Sequence, residues 1–124
     1  MISFVGVDHV QLAAPPDHEP AARAFYGDLL GLEEVMKPPA LAARGGCWFQ
    51  CGAQQIHIGV ESEFRAAKKA HPALRLANRA SFNALLARLT AREVAIKRDD
   101  EEVPGVEARF FVADPWGNRL EFLV

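Results

Sequence analysis

VGVDHVQLAAPPDHEPAARAFYGDLLG, residues 5–31, holds a strand, a stop, a helix and a second stop in that order. Residues 5–14 read as a strand, and Pro15-Pro16 ends it because proline has no N–H to give a ladder. Asp17 is then the expected helix N-cap, with Glu19 and Pro20 in a first turn that suits both. Ala22, Phe25, Tyr26 and Leu29 recur at i, i+3, i+4 and i+7, which is one face of a helix. Gly31 can close that helix in the left-handed conformation.

Outward from this unit, three strand-like stretches follow near 32–37, 46–51 and 54–60, separated by Pro38-Pro39, Gly45-Gly46 and Gly52-Ala53. Segment 61–69 (ESEFRAAKK) reads as a charged, Ala-rich surface connector with scope for a helical turn. The pattern then restarts. Residues 71–77 are strand-like, Asn78 or Ser81 can cap a helix, and Phe82, Leu85, Leu86 and Leu89 repeat the helical spacing. Short strands near 93–97, 107–113 and 119–124 complete the second half. Asp114-Pro115-Trp116-Gly117 carries the residues a type I turn prefers, and folds the last two strands into a hairpin. Each half therefore reads β-α-β-β-β. The expected fold class is α+β: one domain of two βαβββ modules, about 1–60 and 70–124 with a connector at about 61–69, whose curved, mixed and antiparallel sheets form a cup.

A chain of 124 residues, half hydrophobic and a quarter charged, can bury a core. Its net charge of -2 gives no general attraction to nucleic acid or anionic lipid. No apolar run is long enough to span a bilayer and the N-terminus lacks signal-peptide character, so a cytoplasmic location is expected. Cys47 and Cys51 on one strand stand about 13 Å apart, too far for a mutual disulfide. They read as free thiols.

Four residues with metal-binding side chains fall at matching places in the two halves. His9 and His71 open HVQLAA and HPALRLA, 62 positions apart, and His57 and Glu121 lie in QQIHIGV and NRLEFLV, 64 positions apart. Strand alternation puts Gln11 on the face of His9, Arg75 on that of His71 and Arg119 on that of Glu121. Two such sheets around a concavity would let the four ligand-type residues converge. The plainer alternative is that strand histidines are satisfied core or surface residues, the expected role of His18. Arg75 and Arg119 suit a substrate carboxylate or phosphonate, or a structural salt bridge. Trp48, Phe49, Phe110, Phe111 and Trp116 could wall an apolar pocket or pack in the core. Asp99-Asp100-Glu101-Glu102 reads as a solvated loop or a mobile lid. No Gly-rich phosphate loop or nucleophile elbow is present.

VDHVQLAAP followed by AARAFYGDLLGLEEV, then HPALRLAN, then DPWGNRLEFL, resembles the vicinal oxygen chelate superfamily across essentially the whole chain. That group includes glyoxalase I, fosfomycin and bleomycin resistance proteins and extradiol dioxygenases. The resemblance implies a divalent metal on His9, His57, His71 and Glu121. Glu121, or a ligand that can leave the metal, is the candidate general base, and Gln11, Phe49, Arg75 and Arg119 are the expected substrate contacts. His57 departs from the pattern, since bacterial glyoxalase I enzymes carry a glutamate there. Three nitrogens and one carboxylate suit zinc, nickel, cobalt or ferrous iron better than magnesium. The short connector also lacks the segments that hold glutathione in glyoxalase I. The implied activity is a glyoxalase-like lyase or isomerase reaction on a small substrate with vicinal oxygens, the metal acting as Lewis acid, in a homodimer that often shares each site between two chains. The alternatives are a metal-free protein that sequesters an antibiotic, and an extradiol-type Fe(II) dioxygenase using His9, His71 and Glu121.

Overall fold

The computed structural model describes all residues, Met1–Val124. The chain divides into two compact units, Met1–Arg65 and Ala66–Val124. In the first, β1 (His9–Ala14) is followed by α1 (Glu19–Ala22), a π-helical continuation (Arg23–Leu29), β2 (Glu33–Val35), α2 (Pro39–Ala42), β3 (Cys47–Cys51) and β4 (Gln54–Val60). Its sheet has the order β1-β4-β3-β2, with β1 parallel to β4 and the other pairs antiparallel. The second unit repeats the plan with β5 (Ala73–Arg75), α3 (Arg79–Ala91), β6 (Lys97–Asp99), β7 (Arg109–Ala113) and β8 (Arg119–Leu123), ordered β5-β8-β7-β6. Here too the first strand runs parallel to the last.

Each sheet is apolar on one side. In unit 1, Leu12, Ala14, Cys47, Phe49, Ile56 and Ile58 are buried on the side that also buries Phe25, Tyr26 and Leu29, and Tyr26 stacks on Phe49 at 5.7 Å. In unit 2, Leu74, Phe110, Val112, Leu120 and Phe122 are buried with Phe82, Leu85 and Leu89 of α3, and Phe110 lies 5.1 Å from Phe82 and 5.3 Å from Phe122. Each large side chain so buried contributes about 1.5–3 kcal/mol. The opposite sides, where polar residues mix with Trp48, Phe111 and Leu123, carry the candidate ligands.

The caps and turns show where local chemistry decides. Asn78 caps α3, its Oδ1 accepting from the Ser81 amide at 2.9 Å, and Gly31 follows the first helix at φ 80°. Asp17 is not the N-cap expected of it. It takes a left-handed φ of 62°, a conformation aspartate tolerates, and His18 becomes the cap residue. Residues 5–8 do not join β1: β4 begins at Gln54, the pairing starts at His9↔Gln55, and ahead of it the Asp8 carbonyl accepts from the Gln55 amide at 3.2 Å. The strand expected at 93–97 forms instead at Lys97–Asp99, opposite Arg109–Phe111.

The Asp114–Gly117 turn forms with Gly117 N–H donating to the Asp114 carbonyl at 3.0 Å. Asp114 Oδ1 accepts from the amides of Trp116 and Asn118. Asn118, fully buried, donates to Asp114 Oδ2 at 2.8 Å and accepts from the Ala67 amide at 2.9 Å. That ties the end of the connector to the hairpin, and the connector forms no helix.

Two glycines provide a test. Gly46 sits at φ 88°, and a Cβ there would stand 2.3 Å from the Ile58 carbonyl oxygen, whereas Gly52 at φ 60° meets nothing within 4 Å. Gly46→Ala should cost about 3 kcal/mol in urea unfolding and Gly52→Ala about 1 kcal/mol, the second reflecting left-handed strain alone. Equal losses would contradict the backbone clash at Gly46.

Candidate metal centre

In unit 1 the register pairs Gln11 with His57, His57 with Trp48, and Gln55 with Gln50. Alternation therefore collects His9, Gln11, Trp48, Gln50, Gln55 and His57 on the polar side of the sheet. All but Gln50 border a cavity of about 520 Å³, which Asp8 and Lys37 also line. Three rings stack there: His9 on His57 with centroids 4.1 Å apart, and His57 on Trp48 at 4.3 Å.

A chain of amides determines which nitrogen of His57 is open. Gln50 Nε2 donates to the carbonyls of Gly52 and Gln54, so its Oε1 is the end that accepts from Gln55 Nε2 at 3.3 Å. Gln55 Oε1 is thereby turned to His57, whose Nε2–H donates to it at 2.8 Å. In the neutral ring Nδ1 then keeps the lone pair. Burial, then the neighbouring His9, push the His57 pKa down against an upward pull from Asp8, with Lys37 adding the least to the downward side. His9, by contrast, gives Nδ1–H to Asp8 Oδ2 at 2.9 Å, which leaves Nε2 open in its neutral ring.

In unit 2, His71 precedes β5 and Glu121 lies mid-β8, opposite Ala73 and Phe111. His71 Nδ1–H donates to the Lys69 carbonyl at 2.9 Å, so in the neutral ring the bare Nε2 faces Glu121 Oε1, 3.2 Å away. A lone pair and a carboxylate oxygen at that distance call for a proton or a cation between them. A backbone carbonyl behind the far nitrogen is also the usual support of a ligand histidine. Two ligands on one ion at about 2.0–2.1 Å lie roughly 3 Å apart, so this pair fits a metal as it stands. The unit 1 pair does not, because stacked imidazoles 15° from parallel aim their lone pairs side by side. One ring must turn, and His9, with a side chain 43% exposed against 6% exposure for His57, is the one free to do so. The four candidates thus stand as two pairs, and no group of three or more His, Cys, Asp or Glu side chains able to hold a metal occurs.

Other expected residues fall on both sides of the sheets. Gln11 borders the cavity and packs against Gly59, where a Cβ would lie 3.0 Å from its amide carbon. Phe49 corrects the expectation of a substrate contact: it is fully buried on the apolar side, because it alternates with Trp48. Phe110 is core for the same reason. Phe111 faces the candidate site, with the Arg119 guanidinium 4.3 Å from its centroid, that of Arg109 5.6 Å away and His71 edge-on at 5.7 Å. Arg75 donates to the Gly105 carbonyl. His18, as expected, has a structural role, donating from Nδ1 to the Pro15 carbonyl at 2.7 Å. Asp99, expected in a solvated run, is held by Arg109 at 2.7 Å. Arg109 went unnoticed in the sequence, yet its Nη1 stands 3.9 Å from Glu121 Oε1. Its place two residues before Phe111, on the same strand face, was the available signal.

The depressed pKa of His57 has a pH consequence. The unfolded chain takes up this proton more readily than the folded one, so the contribution of His57 to stability is whole above about pH 6.5 and is lost as pH falls through the lower folded value. Urea midpoints should drop between about pH 7.5 and 5, and His57→Gln should make that drop smaller. An unchanged slope in the variant would assign the acid sensitivity elsewhere.

Comparison with known proteins agrees with this architecture. No curated protein matches the chain. A crystal structure classed with the glyoxalase family, from Bacillus anthracis, is 47% identical, with 99% of this chain and 98% of that one covered and a TM-score of 0.90. Lactoylglutathione lyase from Agrobacterium tumefaciens is 24% identical over 98% of this chain and 94% of its own, with a TM-score of 0.75. A fosfomycin resistance protein from Listeria monocytogenes is 19% identical over 99% and 91%, with a TM-score of 0.76. These last two likenesses concern the fold alone. The family model of the Glyoxalase/Bleomycin resistance protein/Dioxygenase superfamily matches residues 6–122, and the chain belongs to that superfamily.

Proposed function

We propose that the chain is a metal-dependent, glyoxalase-like enzyme acting on a small substrate with two adjacent oxygens. Its metal ligands in this reading are His9, His57, His71 and Glu121. The observation that carries it is the His71–Glu121 pair, with Nε2 3.2 Å from Oε1, Nδ1 anchored on the Lys69 carbonyl and Glu121 only 9% exposed. Zinc, nickel, cobalt or ferrous iron suits the nitrogen-rich donor set. When bound, such an ion supplies Lewis-acid stabilisation of the charge that develops on a substrate oxygen.

The remaining work belongs to the chain. Glu121 is the general base for a proton beside a carbonyl, and His71 and Arg109 hold its Oε1 in place. Gln11 offers an amide at the cavity edge. Arg119, stacked on Phe111, and Arg75 orient an anionic substituent of the substrate. A homodimer in the cytoplasm, as is common in the superfamily, completes the proposal. No helix is long and apolar enough to cross a membrane.

One observation favours a second reading. His9 and His71 each have Nδ1 anchored, which turns Nε2 away from that anchor, whereas the Nε2 of His57 is held by Gln55 and only its Nδ1 is left to ligate. Two histidines and Glu121 make the facial triad of an Fe(II) oxygenase.

Metal analysis of protein purified without an affinity tag should find about one divalent ion per chain, and saturating metal at about 100 times Kd should add about 2.7 kcal/mol of stability. His71→Ala and Glu121→Gln should each abolish that gain. His57→Ala abolishes it in the four-ligand reading and spares it in the triad reading, where oxygen-dependent turnover of catechols should follow. A chain that takes up no metal would leave only the metal-free binding protein.

A further inference from the structure

The unit 1 cavity has a charged wall that the metal reading does not use. Lys37 and Arg44 both line it, on the loop between β2 and β3. Lys37 is half-buried, gives one hydrogen bond to the Gly45 carbonyl and lies 5.8 Å from the Trp48 ring centroid. Neither Lys37 nor Arg44 is ion-paired. The carboxylates nearby are already engaged. Asp8 holds His9, Glu34 is gripped by Arg23, and Glu19 accepts from the Gly46 amide.

The loop is held in shape rather than merely exposed. Gly45 and Gly46 have φ of 76° and 88°. A Cβ on Gly45 would lie 2.8 Å from Glu19 Oε1, and one on Gly46 would strike the Ile58 carbonyl. Only glycine fits there, and the resulting turn aims the Gly45 carbonyl at the Lys37 ammonium while Arg44 leads directly into it. The net charge of the whole chain is -2, so this positive wall is a local feature.

The geometry points to an oxyanion subsite in the unit 1 cavity, in which the Lys37 ammonium and the Arg44 guanidinium hold a carboxylate or phosphate group of the ligand across from the His9–His57 pair. An ammonium with two spare donors and a forked guanidinium suit a compact, multidentate anion. The inference rests on the proposed function only in taking this cavity as the place where substrate lies. It requires no metal.

The test uses full-length, EDTA-dialysed Trp116→Phe protein, so that Trp48 is the single fluorescent tryptophan. Malonate and inorganic phosphate are titrated against sodium chloride of equal ionic strength. A saturable change in Trp48 emission is expected with at least one anion, and the preferred anion separates carboxylate from phosphate. Lys37→Met and Arg44→Met should each weaken it about tenfold. Circular dichroism of both variants confirms that they fold, and because Arg44 is exposed its replacement leaves the core untouched. No response beyond that of chloride, or variants that bind the anion as tightly as the Trp116→Phe parent, would overturn the subsite. Because metal is excluded, either result leaves the metal reading standing or falling on its own experiment.

Discussion

The parallel pairing of the first strand of each unit with its last is the constraint on which the site depends. A parallel neighbour cannot be reached by a tight turn, so a long crossover must intervene, and in each unit it contains helix and two further strands. That long path brings His9 beside Gln55 and His57, though they are nearly fifty residues away in sequence. In unit 2 the same pairing sets Ala73 against Glu121 and carries His71, just before the strand, to the carboxylate. The antiparallel strands that follow bring Trp48 and Phe111 to the flanks of His57 and Glu121.

The two pairs occupy equivalent places and are chemically unlike. In unit 1 the partners meet face to face, and the stack continues to Trp48. The flat imidazole at 57 suits the tryptophan at 48, on which it lies nearly parallel at 4.3 Å. In unit 2 the partners meet edge to edge, the His71 Nε2 against the Glu121 carboxylate with arginine nearby.

Much of this was legible along the chain. Asn78 as a cap, Gly31 as a helix stop and the Asp114–Gly117 turn depend on backbone requirements met by neighbours in sequence, and all three form. Strand alternation correctly put Arg119 and Glu121 on one face. Asp17 escaped because its left-handed φ belongs to a turn that competes with capping. Residues 5–8 look like a strand by composition, yet a strand exists only where a partner reaches. Phe49 was misplaced because an aromatic pair, Trp48-Phe49, does not reveal which member faces the helix.

The sequence by itself determined the duplicated βαβββ plan, the sides of the sheets that face the core and the four ligand-type residues, because periodicity and turn chemistry are properties of near neighbours. Only the tertiary structure decided which nitrogens are open, that Arg109 attends Glu121, and that Lys37 and Arg44 stand unpaired at a cavity. Those facts arise from strand register and from amides oriented through successive hydrogen bonds, which join residues that no local pattern connects.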